Sequence, residues 1–205
     1  MFLKQSLKFK NPFWMFLLGS FVIIIFNVLG QLPLTYAILQ EGALSSGDDP
    51  MEMMRGIDKN LQLFLLLIPF AIGFLGLWLV VRKLHERSML SITTAREKID
   101  WRRSLYAFLI WGVVTLLLVG GDYLMSPESY ELNFNLKRFL LLFVIAVLLI
   151  PTQTSLEEYI FRGYLMQGFA GMFKNAWAPL LMTSIIFGSL HLFNPEVEKL
   201  GYGIM

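Results

Sequence analysis

The sequence predicts an all-α, polytopic transmembrane helical bundle of about five spans, one integral membrane domain over residues 1–205. Three observations predict it. The chain is 56% hydrophobic and only 16% charged, with a mean hydropathy of +0.62, whereas a soluble domain carries roughly a quarter charged residues. Its charges are clumped between long apolar runs instead of spread along helix faces, the pattern of a chain surrounded mostly by lipid. Finally, the clumps between the first spans alternate in sign.

Five apolar stretches cover residues 12–39, 61–81, 105–124, 139 onward and 176–193. Crossing ~30 Å of hydrocarbon takes ~20 apolar residues, a length the first three reach. The first follows Lys4, Lys8 and Lys10 as a signal peptide would. It is about twice the length of a signal core and lacks a small-x-small cleavage site, so it reads as an uncleaved span. The 40–60 segment is acidic, with Glu41, Asp48, Asp49, Glu52 and Asp58 against Arg55 and Lys59. The 82–103 loop is basic, with Arg82, Lys83, Arg87, Arg96, Lys98, Arg102 and Arg103 against Glu86, Glu97 and Asp100. The positive-inside rule then puts the N-terminus and the 82–103 loop in the cytoplasm, across the cell membrane from the 40–60 segment.

Residues 138–174 would measure ~55 Å as one straight helix at 1.5 Å per residue. A bilayer is thinner, so this stretch should kink, end or leave the membrane. Pro151, which lacks a backbone donor, is the expected break. The final residues, Gly201-Tyr202-Gly203-Ile204-Met205, follow a polar turn at Asn194-Pro195-Glu196 and read as the opening of a further apolar helix.

The absence of cysteine excludes disulfides, thiolate metal sites, a cysteine nucleophile and prenyl or palmitoyl attachment to this chain. A net charge of +2 leaves no footprint for nucleic acid. The bilayer is the partner that composition implies.

Ionisable side chains within spans are informative, because they usually face a polar cavity. In Glu157-Glu158-Tyr159-Ile160-Phe161-Arg162, Glu158 and Arg162 are i, i+4 on a helix and can pair, which leaves Glu157 free for chemistry. The same charges would also suit a solvated interface. His191 is a lone histidine on an apolar helix, where packing alone would account for it. A hairpin turning near Lys174-Asn175, however, would bring Glu157 and His191 level, each 17 residues from Lys174. An acid and an imidazole sharing one water make a general-base pair or part of a metal site. Phe187 is i, i+4 from His191 and can restrict where the ring points. Asn27 and Gln31, also i, i+4, can bond a neighbouring helix. His85, among Arg82, Lys83, Glu86 and Arg87, reads as a surface residue, and Asp122 as a solvated span end.

A Glu-Glu-x-x-x-Arg motif followed by Phe-x-x-x-His in a polytopic chain resembles the CPBP intramembrane proteases, once called the Abi family, which include CAAX prenyl proteases and bacteriocin-processing or immunity proteins. The resemblance spans residues 138–194. It implies an all-helical endopeptidase working near the membrane face on a peptide or protein, prenylated or membrane-associated. By the same resemblance Glu157 and His191 activate the attacking water, or hold a zinc ion in a metal-assisted variant, while Glu158, Arg162 and Phe187 shape the site. The family pattern also has a later histidine motif. This chain's histidines are His85 and His191, and His85 comes too early to serve. The rival readings are a non-catalytic immunity or scaffold protein of the same fold, and a transporter using the Glu/Arg/His cluster as an ion relay.

Overall fold

The computed structural model describes residues 11–40, 53–173 and 175–192, and these are helical with no strands. The elements are α1 (Phe13–Gln40), α2 (Lys59–Leu79), α3 (Leu90–Thr93), α4 (Trp101–Met125), α5 (Leu136–Glu158), α6 (Met166–Phe173) and α7 (Trp177–His191). Among the described residues, four helices are long and apolar enough to cross a membrane: Phe13–Gln40, Lys59–Leu84, Trp101–Met125 and Leu136–Phe173. The fifth apolar stretch forms the 15-residue α7, about 22 Å long at 1.5 Å per residue. The acidic 41–52 segment and the 193–205 end, with its expected further helix, lie outside the described residues.

Short polar side chains start the helices. Asp58 accepts from the backbone N–H groups of Asn60 and Leu61, Asp100 from Arg103 and Asn135 from Arg138. Each satisfies donors that the first turn leaves open.

The core forms where α1, α2 and α5 meet, around Phe16, Ile23, Leu77, Val80, Val81, Ile92, Leu156 and Tyr164. Lipid provides no hydrophobic drive between helices, so close packing of small residues and polar bonds hold them together. Gly19 lets Tyr164 reach α1, since a Cβ there would overlap the phenol oxygen. Asn27 Nδ2 donates to the Pro69 carbonyl of α2 at 3.2 Å, and Gln31 donates to Asn27 Oδ1, so this pair does bond across to a neighbouring helix. By contrast, α4 has no buried residue.

Pro151 does not break α5. The helix continues to Glu158, and the hydroxyls of Thr152 and Thr154 cap carbonyls beside the proline, at Leu148, Ile150 and Pro151. Pro151 lacks the N–H that would bond the Val147 carbonyl, and the helix carries on past that single loss. The winding changes eight residues later instead. Over Tyr159–Leu165 the turns widen to π geometry, and the Met166 N–H reaches back five residues to Phe161. Val80–Leu84, at the end of α2, is wound the same way, with the His85 N–H bonding Val80 O at 3.0 Å.

Candidate active site

The change to π winding falls inside the Glu-Glu-x-x-x-Arg motif. Glu157 and Glu158 end α5 and Arg162 lies in the wide turns, which are rare and frequent at functional sites. Leu156, next to Glu157, packs at Gly73 of α2, which also faces Asn27 of α1. Tyr164 packs at Phe16. Glu157 and Tyr164 are seven residues apart on the same continuous helix, so Glu157 lies about 10 Å along the bundle from the Tyr164 end.

α6 and α7 form the expected hairpin. Asn175 caps α7 by accepting from the Ala178 N–H at 2.8 Å. Phe161 and Phe187, each 13 residues from Lys174, meet edge to face with centroids 5.1 Å apart. Between the two arms lies a cleft of about 120 Å³ lined by Glu157, Glu158, Arg162, Thr183, Phe187 and Gly188, among others. It has room for several waters. Arg162 Nη1 bonds Glu158 Oε2 at 2.9 Å, with both side chains well exposed. Glu157 is half-buried, and no hydrogen bond or ion pair ties it to a described residue.

His191 ends α7, one turn beyond Phe187, and is exposed. It does not line the cleft itself. Its ring lies 4.3 Å from that of Phe187, and its Nδ1–H donates to the Phe187 carbonyl at 2.9 Å. A carbonyl can only accept, so neutral His191 carries its proton on Nδ1 and keeps the Nε2 lone pair available. The structure thus gathers Glu157, Glu158, Arg162 and Phe187 around one cleft and leaves His191 at its rim. Catalytic zinc has three protein ligands. Glu157 and His191 are two donors, and no group of three or more His, Cys, Asp or Glu side chains converges among the described residues. The described residues alone therefore do not make such a site.

A second polar cluster lies on the same segment. His85 is not a surface residue: it is 6% exposed, and Arg87 is 4% exposed. They are buried because the widened end of α2 turns back on itself, with the Arg87 N–H bonding Val81 O at 2.9 Å. Arg87 fixes every proton in the cluster, because guanidinium only donates. Its Nη2 donates to Asn11 Oδ1 at 2.6 Å, so Asn11 Nδ2 faces His85 Nδ1 at 3.0 Å and donates to it. His85 then carries its proton on Nε2, 2.8 Å from the Tyr164 hydroxyl. Tyr164 donates onward to the Met15 and Phe16 carbonyls at 3.3 Å. On the other side, Arg87 Nη1 donates to Gln167 Oε1 at 3.3 Å, and Gln167 Nε2 to the Ser91 carbonyl at 2.7 Å. Gly163 rests against the Ile92 carbonyl, where a Cβ would come within 2.6 Å. Burial, then the charge of Arg87, hold the His85 pKa down to about 4, and burial lowers that of Arg87 to about 10.

Residues 135–205, which include the motif and the cleft, match the model of a family described as type II CAAX prenyl endopeptidase Rce1-like. The chain belongs to the Rce1-like family. It is similar to the uncharacterized protein YyaK of Bacillus subtilis (strain 168), 31% identical over 201 residues. The matched region covers 95% of this chain and 66% of that relative, so the chain spans about two thirds of the relative's length. No solved structure matches. The segment shared with the Rce1-like model begins at Asn135, the cap of α5, and thus takes in both arms of the cleft but not α1 or α2.

Proposed function

We propose that the chain is an intramembrane endopeptidase of the CAAX-protease kind, in which Glu157 is the general base. One observation carries the assignment: a half-buried carboxylate with no described partner faces a water-sized cleft beside a carboxylate already held by arginine. Glu157 takes a proton from a water in the cleft, the water oxygen attacks the peptide carbonyl, and the proton passes to the departing amine. His191 Nε2, at the rim, hydrogen-bonds that water. Glu158 and Arg162 shape the mouth, and Phe187 limits the swing of the imidazole. Substrates are peptides or proteins held at the membrane, with a prenyl group as the anchor that the family description names. Family membership favours this reading over an ion relay.

Glu157→Gln keeps shape but removes the basic lone pair. General-base catalysis supplies roughly 10²–10⁴-fold, so cleavage of a prenylated peptide should fall at least about a hundredfold at unchanged melting temperature. A Glu157→Gln protein that cleaves like wild type would sink the assignment, as would a wild-type chain inert on every membrane-anchored peptide.

The N-terminus and the 82–103 loop face the cytoplasm in this proposal. They share one end of the bundle, since Asn11 bonds His85 and Arg87. Asn60 bonds the Arg138 carbonyl at the other end. Cysteines placed at the exposed Ser88 and Ser129 should label from opposite sides, with Ser88 inside. Labelling Ser88 from outside would reverse the orientation.

A further inference from the structure

Glu86 follows the end of α2 with a φ of 53°, in the left-handed region that favours glycine. The chain reverses there and returns Arg87 to the last turn of α2. The reversal borders an open cavity of about 350 Å³ lined by Trp78, Arg82, Lys83, Glu86, Arg87 and Ser88. That is within the ~300–1,000 Å³ range of small-ligand sites. It is separate from the cleft at Glu157, and the peptidase reading does not use it.

The lining holds three cations against one carboxylate. Arg82 and Lys83 are exposed and form no ion pair with a described residue. Arg87 approaches from inside, 4% exposed, its guanidinium oriented by Gln167 and Asn11. One wall is therefore a buried, preoriented charge, unlike the swinging cations of an ordinary basic surface. Trp78 lies one turn before Arg82, at the apolar end of the cavity, and is 41% exposed. An aromatic ring at the headgroup boundary with cations just beyond it is how membrane proteins meet the interface. Arginine forks suit phosphate oxygens, and basic pockets at helix ends bind lipid head groups.

We propose that this cavity binds the phosphate of an anionic membrane phospholipid, the head group held by the exposed Arg82 and Lys83 with the buried Arg87 charge behind them, and the acyl chains running down past Trp78. Because Arg87 also bonds Gln167, the bound lipid would brace the turn against the segment that carries the motif.

The test uses the purified chain in neutral detergent, with thermal unfolding followed as lipid is added. Phosphatidylglycerol should raise the melting temperature saturably, while phosphatidylcholine should not. Inorganic phosphate supplies the same oxygens without the chains and should do far less. Arg82→Gln combined with Lys83→Gln, both exposed and compatible with folding, should weaken the phosphatidylglycerol response about tenfold or more. Lys98→Gln with Arg102→Gln, which removes the same charge elsewhere in the loop, should leave it intact. Glu86→Gln should strengthen it by removing a like charge. An undiminished response in the Arg82/Lys83 double variant, or an equal loss in the Lys98/Arg102 control, overturns the proposal. Inorganic phosphate acting as strongly as phosphatidylglycerol would mean a free-anion site and overturns the lipid.

Discussion

Residues 157–167 carry two polar clusters built on opposite rules. Toward α7, Glu157, Glu158 and Arg162 open on a cleft, and Glu157 makes no bond to a described residue. Toward α1 and α2, Tyr164 and Gln167 enter a closed knot whose donors and acceptors follow one another from Arg87 to the Phe16 carbonyl. Buried polar groups are costly unless bonded, and a bonded network rigidifies what it joins. A general base needs the reverse, a lone pair left open to water. The knot therefore serves stability and the cleft serves chemistry. The wide turns of Tyr159–Leu165 carry side chains of one segment to both.

Crossing variants from the two clusters is the most severe way to break this division. Glu157→Gln should abolish nearly all cleavage without lowering the melting temperature. Gln167, fully buried, should behave oppositely. Gln167→Leu keeps the volume but strands the Ser91 carbonyl and an Arg87 donor, which costs about 1–3 kcal/mol. The protein that still folds should cleave near the wild-type rate. If Gln167→Leu lost activity a hundredfold with unchanged stability, the two clusters would not be separate devices.

Acid offers a second test. His85 is about 4 in the fold against an ordinary 6.5, from burial and then the Arg87 charge. Below 6.5 the unfolded chain binds a proton that the folded chain refuses, so the His85 contribution is intact above pH 6.5 and lost as pH falls toward 4. The groups facing it are Asn11, Phe16, Arg87 and Tyr164. A proton on Nδ1 would point at the Asn11 amide donor, which Arg87 prevents from flipping. Melting temperature in detergent should therefore drop between pH 6.5 and 4, and His85→Gln should flatten that part of the curve. A wild-type curve that stays flat over this range would contradict a closed knot around a neutral His85.

The cleft was legible in the sequence and the knot was not, for a physical reason. Glu158 and Arg162 are four residues apart, and Glu157 and His191 sit symmetrically about a turn, so local helix geometry predicts the pair and the hairpin. His191 nevertheless stops at the rim and does not line the cleft. His85 bonds Tyr164 at a separation of 79 residues and Asn11 at 74. Its sequence neighbours are charged, so it reads as surface. The signal available was on the partner segment, where Tyr164 and Gln167 share a helix face flanked by Gly163 and Gly168. Polar residues between close-packing glycines mark a buried contact. Hydropathy found the spans because hydrocarbon thickness sets their length, but it is blind to winding. Pro151 misled because a proline removes a single backbone bond, which a long apolar helix can carry on past.

The smallest expected effect concerns Glu158 and Arg162. Their spacing admits either a buried ion pair or a solvated one, and these differ sharply in consequence. Removing one member of a buried pair strands a charge and costs about 3–5 kcal/mol. An exposed pair is worth only about 0.3–0.5 kcal/mol. In the fold the bond is good at 2.9 Å, yet Arg162 and Glu158 are 69% and 50% exposed and line the mouth of the cleft. Water in the cleft would solvate a lone Glu158 carboxylate, so Arg162→Ala should lower stability in detergent by no more than about 0.5 kcal/mol. Cleavage should fall more than stability does, because the freed carboxylate can swing toward Glu157. A loss of several kcal/mol would mean that lipid, not water, surrounds the pair. A dry cleft could not supply the attacking water, so this small number also bears on the larger claim about Glu157.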